Sequence, residues 1–181
     1  MGLRGRSIED NVFFVTTTCH EWLNVFNEEM RFEILYSSFD FYNKKYDAQL
    51  LSYVIMPNHI HFIIFFSQLN KLSPYMRDFK KFTSGELRRM IDFDREIQLL
   101  EKLRFKTAKQ EFKIWMDRFD DVVLTTQKVM LVKLDYIHEN PVRKNLVASP
   151  EDYLHSSASY YLCNGEPKIP ITHYAEIFGY E

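Results

Sequence analysis

The stretch Tyr53-Val-Ile-Met-Pro-Asn-His-Ile-His-Phe-Ile-Ile-Phe-Phe66 contains the most apolar run of the chain, and within it two histidines, His59 and His61, stand one residue apart. Met56-Pro57-Asn58 is a turn signal, and the β-branched and aromatic residues after it are typical of a buried strand too short to span a membrane. Because side chains alternate across a strand, both histidines lie on one face, with rings roughly 6–7 Å apart along the strand.

Two imidazoles on one apolar face allow two interpretations. Either each is a hydrogen-bonded core residue, which requires two separate buried partners, or both converge on one metal ion or one phosphate.

Two other classes of protein with a His-x-His motif do not fit this sequence. An amidohydrolase barrel needs roughly 250 residues, whereas this chain has 181. A cupin-type site needs a glutamate soon after the second histidine, and none follows here.

The composition is that of one well-filled domain, 46% hydrophobic and 16% aromatic. A net charge of −2 excludes a global basic field, so any nucleic-acid binding must come from local patches. Cys19 and Cys163 lack CxxC spacing, which favours a reducing compartment and argues against a zinc knuckle. The first residues form no apolar segment, and no stretch reaches about 18 apolar residues, so we expect a cytoplasmic protein without membrane contact.

Strand and helix signals surround the histidine strand. β-branched and aromatic runs predict two further strands, over 11–18 and 48–55. Helical periodicity predicts two helices, over 27–46 and 72–91. A later helix is predicted to begin near Thr126 and to end at Asn140, because Pro141 cannot continue it. The order βαββα with a further strand predicts an α+β fold, a ferredoxin-like antiparallel sheet with helices packed on one face.

Three segments are expected along the chain. These are a flexible basic arm at 1–10, one domain over 11–160, and a C-terminal tail over 161–181 packed on the domain. The helix predicted over 72–91 carries the clearest basic patch of the sequence, consisting of Arg77, Lys80, Lys81, Arg88 and Arg89. Such a patch is either a solvated helix face or a surface that binds phosphates.

Three ordered motifs resemble those of one family. Met56-Pro-Asn-His-Ile-His61 resembles the HUH motif of the one-tyrosine transposases. Phe79-Lys-Lys-Phe-Thr-Ser84 is similar to the active-site helix of their REP-associated branch. The stretch from Tyr136 to Val147, followed by Glu151 to Ser157, resembles the C-terminal signature of that branch. The resemblance runs from about 11 to 160.

This resemblance implies an HUH transposase-like fold and a metal-dependent nuclease and strand transferase that recognises hairpin-forming single-stranded DNA. The two histidines and a third side chain would hold Mg²⁺ or Mn²⁺, and a helix tyrosine would attack the phosphate, leaving a 5′-phosphotyrosine and a free 3′-OH. The family pattern has the third ligand one helical turn after the tyrosine. On the helix predicted over 72–91 it assigns Glu86 as the ligand and finds Phe82 in the tyrosine position.

Phenylalanine has no oxygen that can attack phosphorus, so the nucleophile remains open at this point. Tyr75 is the nearest substitute, about 10 Å away along the same helix, while Tyr136 is interpreted as a packing residue. The leading hypothesis is a transposase-like protein that cleaves and rejoins hairpin DNA if a nucleophile is available. The alternatives are a non-catalytic hairpin-binding protein and a metal-dependent hydrolase using His59, His61 and Glu86. Arg143 is a further expected phosphate contact, and the protein is expected to be a monomer or a homodimer.

Overall fold

Four antiparallel strands form one sheet, in which residues 48–56, 59–66, 12–18 and 120–123 lie side by side in that order, with the histidine strand in its interior. The computed structural model describes residues 11–105 and 111–179, so the arm predicted at 1–10 lies outside the described residues. The strands are β1 (Val12–Thr18), β2 (Ala48–Met56), β3 (His59–Phe66) and β4 (Asp120–Val123). The predicted α+β class and antiparallel sheet are confirmed.

Pairing on both sides of β3 fixes where its histidines stand. Pro57 and Asn58 connect β2 to β3 as a tight hairpin, with Met56 opposite His59. On the other side, β1 pairs with β3 so that Thr16 lies opposite His61. The β-branched and aromatic composition of all three strands suits a pleated surface that is covered on both faces.

The helices are α1 (Glu29–Tyr46), α2 (Leu72–Phe93), α3 (Ile97–Lys102), α4 (Gln127–Arg143), α5 (Ala158–Cys163) and α6 (Tyr174–Phe178). Helices α1 and α2 pack together on one face of the sheet, as expected, over the even-numbered side chains Ile60, Phe62, Ile64 and Phe66 of β3. Helix α4 adds a layer on the second face, where Met130 and Ile137 pack with Ile63. The odd-numbered side chains of β3, including both histidines, therefore belong to the face covered by α4.

The end of α4 differs from the prediction. The helix continues through Pro141 to Arg143, although Pro141 was expected to stop it at Asn140. A proline removes its own N–H bond to the carbonyl four residues earlier and its ring crowds that carbonyl, but it leaves the bonds of later residues intact. Because Pro141 stands in the last turn, Lys144 closes the helix with hydrogen bonds to the Asn140 and Pro141 carbonyls.

The C-terminal tail lies against β2. The Tyr161 hydroxyl donates to the Leu51 carbonyl at 2.7 Å, and the Thr172 amide donates to the Leu50 carbonyl at 3.0 Å. Ile169 is fully buried in the main core. Among the helices of residues 11–105 and 111–179, none has the length and apolarity needed to cross a membrane.

Candidate active site

His59 and His61 open into one cleft on the α4 face of the sheet. As strand alternation predicts, they share one face, and their ring centroids lie 4.7 Å apart. Each residue is only 6% exposed. The cleft encloses about 400 Å³, and its walls come from β1, the β2–β3 turn and α4. Two imidazoles therefore meet at the bottom of a small cleft and not on an open surface.

Hydrogen bonds hold each ring through Nδ1. The Nδ1 atom of His59 lies 2.6 Å from the Asn58 side-chain oxygen, and that of His61 lies 2.7 Å from Thr16 Oγ1. An amide oxygen only accepts, so His59 donates from Nδ1 and its Nε2 carries a lone pair. Within the described part of the chain, neither Nε2 atom has a hydrogen-bond partner. A hydrogen bond at Nδ1 that holds the ring is typical of histidines that bind a metal through Nε2.

Both histidines are neutral at physiological pH. Burial, and to a smaller extent the charge of Lys144, lowers the pKa of His59 to about 4. Burial, followed by His59 and Lys133, lowers the pKa of His61 to about 3. Since only the neutral imidazole can donate a lone pair to a metal, the environment keeps both rings in the ligand form.

Helix α4 brings a tyrosine to the histidines. The Tyr136 ring lies 5.2 Å from the His61 ring, and Phe14 of β1 contacts both, at 5.9 Å and 5.5 Å between ring centroids. Thr126 caps the start of the helix by accepting a hydrogen bond from the Val129 amide. Met130 and Ile137 pack on the sheet and fix the rotation of α4 about its axis. As a result, Tyr136 lines the cleft, and its side chain is partly exposed.

One turn further along α4, Asn140 lines the same cleft. Its side-chain oxygen Oδ1 is buried and has no hydrogen-bond partner among the described residues. A buried acceptor without a partner is unfavourable by about 1–3 kcal/mol unless something supplies positive charge or a donor. Neutral imidazole nitrogens bind divalent first-row metals, and a carbonyl oxygen such as that of Asn140 suits Mg²⁺ and Mn²⁺. These residues therefore fit the metal that the sequence resemblance implies.

Two cations of α4 lie beside the tyrosine, and a third follows the helix. Lys133 Nζ lies 5.7 Å and Arg143 Cζ 5.6 Å from the centroid of the Tyr136 ring, and Lys144 lines the cleft. None of the three has an ion-pair partner in the described ranges. The cleft therefore presents local positive charge in a chain whose net charge is −2.

The model of the family described as "Transposase IS200 like" matches residues 12–140, well over half of the chain, and this range holds both histidines, Tyr136 and Asn140. The chain belongs to the IS200-like transposase family. This confirms the family predicted from the three sequence motifs. No curated protein matches the sequence.

Two solved structures are similar to this IS200-like transposase. A REP-associated tyrosine transposase bound to a REP hairpin matches with a TM-score of 0.64 at 17% identity, over 95% of this chain and 92% of that chain. A candidate transposase of Deinococcus radiodurans matches with a TM-score of 0.42 at 15% identity, over 77% of this chain and 97% of that chain. At 17% identity, the first likeness shows a shared fold.

The structure does not bring Glu86 to the histidines. Glu86 and Phe82 lie on α2, which covers the opposite face of the sheet, and Glu86 forms an ion pair with Arg89 there. Among the described residues, no three His, Cys, Asp or Glu side chains come together as a metal site. The predicted ligand set of His59, His61 and Glu86 is therefore wrong in its third member. Asn140, a residue of another type, lines the cleft together with both histidines.

Neither predicted tyrosine position on α2 is near the cleft. Phe82 does not occupy the place of a nucleophile, because it is 48% exposed on the far face and contacts Tyr42. Tyr75 is fully buried between α1 and α2, and its hydroxyl donates to the Asn43 side chain at 2.8 Å. Burial raises its pKa well above the usual value. The sheet separates both residues from His59 and His61.

The basic patch of α2 is largely engaged in contacts of its own. Arg77 pairs with Asp78 and Arg89 pairs with Glu86. Lys80 donates to the Met116 and Asp117 carbonyls, and Arg88 lies over the Phe112 ring. Arg143, in contrast, lies over the ring of Tyr136, which lines the cleft.

The sequence did contain the signal for Tyr136 and Asn140. A tyrosine with a ligand-forming residue four positions later occurs in the motif Tyr136-Ile-His-Glu-Asn140. That spacing places both side chains on one helix face. The resemblance of Phe79-Lys-Lys-Phe-Thr-Ser84 to the active-site helix of the family instead placed this pattern on α2, at Phe82 and Glu86.

Proposed function

We propose that this IS200-like transposase binds hairpin-forming single-stranded DNA and cleaves and rejoins one strand through a covalent bond to Tyr136. The observation that carries the proposal is that Tyr136 and Asn140 of α4 line the cleft of His59 and His61. Family membership supports the reaction class. The similar REP-associated transposase was solved with a REP hairpin bound, which supports hairpin DNA as the substrate.

A divalent metal, Mg²⁺ or Mn²⁺, would be held by three atoms: Nε2 of His59, Nε2 of His61 and Oδ1 of Asn140. When bound, it would neutralise charge on the phosphoryl oxygens of the scissile phosphate. The lowered pKa values of the two histidines keep their lone pairs available at neutral pH. Asn58 and Thr16 orient the rings through Nδ1, so little rearrangement is needed on binding.

The chemical step exchanges one phosphodiester for another. The Tyr136 oxygen forms a bond to phosphorus while the bond from phosphorus to the 3′ oxygen breaks. The phenol proton passes to water, and the 3′ oxygen takes up a proton as it leaves. No oxidant or hydrolysis is involved, so the free 3′-OH can later attack the phosphotyrosine and release the enzyme. Lys133 and Arg143 stand beside the ring, where negative charge develops on the tyrosine oxygen and the phosphate.

Incubation of the protein with labelled hairpin oligonucleotides and Mn²⁺ tests the proposal. We expect a protein–DNA adduct that survives denaturing electrophoresis, requires the metal, and maps to the peptide containing Tyr136. An adduct on another tyrosine would contradict the assignment of the nucleophile. Hairpin binding without any adduct, under all metal conditions, would favour a non-catalytic hairpin-binding protein.

A further inference from the structure

Trp22 stands exposed at the mouth of the histidine cleft. It is 58% exposed, whereas the second tryptophan of the chain, Trp115, is buried. The Trp22 ring meets the His59 ring edge-on at 5.9 Å between centroids and lines the cleft beside Asn24. A large exposed indole next to an active site leaves a flat apolar surface available to a ligand.

The backbone holds Trp22 in place at some conformational cost. Glu21 and Trp22 have φ values of 51° and 57°, in the left-handed region that side chains other than glycine rarely adopt. Hydrogen bonds tie this turn to the loop before His59: the Asn58 side chain donates to the Trp22 carbonyl, and the Cys19 amide donates to the Asn58 carbonyl. The indole is therefore attached to the same loop that positions the histidine.

A second groove, of about 720 Å³, begins on the other side of the indole. Trp22 and Asn24 line both cavities, so the groove continues the histidine cleft towards α3. Its cations Arg95 and Lys102 are exposed and have no ion-pair partner within 11–105 and 111–179. Its single carboxylate, Glu96, pairs with the buried Arg31, which also pairs with Asp94 outside the groove lining. The groove thus combines net positive charge with the exposed Ile97 and Trp22 side chains.

We propose that Trp22 is a stacking platform for one base of a single DNA strand that passes from the histidine cleft into this second groove. The proposal deepens the function proposed above and rests on DNA binding in that cleft. Single-strand binding sites combine an aromatic surface, which stacks with any base, and cations that follow the phosphates. Trp22 supplies the first element, and Arg95 and Lys102 supply the second. The strand would turn at Trp22 as it leaves the scissile phosphate.

Tryptophan fluorescence tests this contact directly. Titration of the whole protein with oligo-dT should quench the emission of Trp22, while buried Trp115 contributes a constant background. Trp22→Phe, which keeps a ring but removes the fluorophore, should show no quenching and should retain most of the affinity measured by anisotropy of labelled oligo-dT. Absence of quenching in the native protein at saturating oligo-dT would overturn the proposal.

Affinities of matched variants provide the second measurement. Trp22→Ala should weaken oligo-dT binding by roughly 5- to 150-fold, the range for loss of one base–aromatic stack. Phe41→Ala removes an aromatic ring of similar exposure from α1, on the other side of the sheet, and should leave the affinity unchanged. An abasic site at one position of the oligonucleotide should weaken binding to the native protein. The same abasic site should not weaken binding to the Trp22→Ala variant. Equal sensitivity of both proteins would overturn the stacking contact.

The two proposals fail in different ways. Oligo-dT quenching does not depend on metal or on cleavage, whereas the hairpin adduct depends on both. Quenching without an adduct supports the Trp22 contact and contradicts catalysis through Tyr136. An adduct without quenching supports the proposed reaction and contradicts the Trp22 contact.

Discussion

Tyr136 of α4 lies against His61 of β3, with their rings nearly perpendicular and their centroids 5.2 Å apart. Phe14 of β1 packs against both rings, so three elements of the fold meet at this contact. The contact joins the histidine motif in the first half of the chain to the Tyr136–Asn140 motif in the second half. This contact between Tyr136 and His61 is the basis for proposing Tyr136 as the nucleophile.

Tyr136→Phe should reduce formation of the hairpin adduct by at least about 1,000-fold, because it removes the attacking oxygen while keeping the ring that packs on His61 and Phe14. Hairpin affinity should change little. Denaturing electrophoresis measures the adduct, and anisotropy measures the affinity.

The matched control is Tyr75→Phe, which removes a hydroxyl from the opposite side of the sheet. Loss of its bond to Asn43 should lower the free energy of unfolding by about 1 kcal/mol and leave the adduct intact. An adduct that survives in Tyr136→Phe and disappears in Tyr75→Phe would reverse the assignment.

Asn140→Ala should weaken Mn²⁺ binding by about 10- to 100-fold, because it removes one oxygen of the proposed ligand set. Asn140→Asp keeps an oxygen at this position and should retain the metal. Glu86→Ala should have no effect, since Glu86 lies on the far face with Arg89. Isothermal titration with Mn²⁺ gives all three affinities. Equal binding by the native protein and Asn140→Ala would exclude Asn140 as a ligand.

Neutral substitutions at the cleft cations Lys133, Arg143 and Lys144 should weaken single-strand binding and flatten its salt dependence. Each phosphate contact that is lost should lower the log–log slope by about 0.7. The Arg88→Gln and Arg89→Gln variants of α2 are the control, because these side chains already contact Phe112 and Glu86. A flatter salt dependence in the α2 variants alone would instead favour the basic surface predicted from the sequence.

His138 should make the protein less stable in mild acid. It is buried beside Ser157, with Nε2 3.0 Å from the serine oxygen, and burial lowers its pKa from 6.5 to about 4. Between these values the unfolded chain binds a proton that the folded protein does not. The contribution of neutral His138 to stability is therefore complete above pH 6.5 and is lost progressively as the pH falls to about 4.

Urea unfolding measures this effect. For His138 alone we expect a loss on the order of 2 kcal/mol between about pH 7 and about pH 5. His138→Gln, which keeps a hydrogen-bonding group but cannot be protonated, should lose correspondingly less over the same range. Identical losses in both proteins would assign the acid sensitivity to other groups, such as His59 and His61.

Much of this protein is determined locally and could be predicted from its sequence. The turn at Pro57-Asn58 and the alternation of side chains along β3 place His59 and His61 on one face, independently of the rest of the chain. The β-branched strands, the helical periodicity of α1 and α2, and the three motifs of the IS200-like family also depend on short stretches of chain.

Only the tertiary structure decided which helix meets the histidines. Both faces of β3 are apolar, so its sequence does not show which face α2 covers and which α4 covers. A residue pair four positions apart shares a helix face on either helix, so the spacing alone does not distinguish Phe82 and Glu86 from Tyr136 and Asn140. Packing of Met130 and Ile137 against the histidine face of the sheet selects α4. Side-chain periodicity determines which residues face inward, but the layer into which they point depends on contacts between residues distant in the chain.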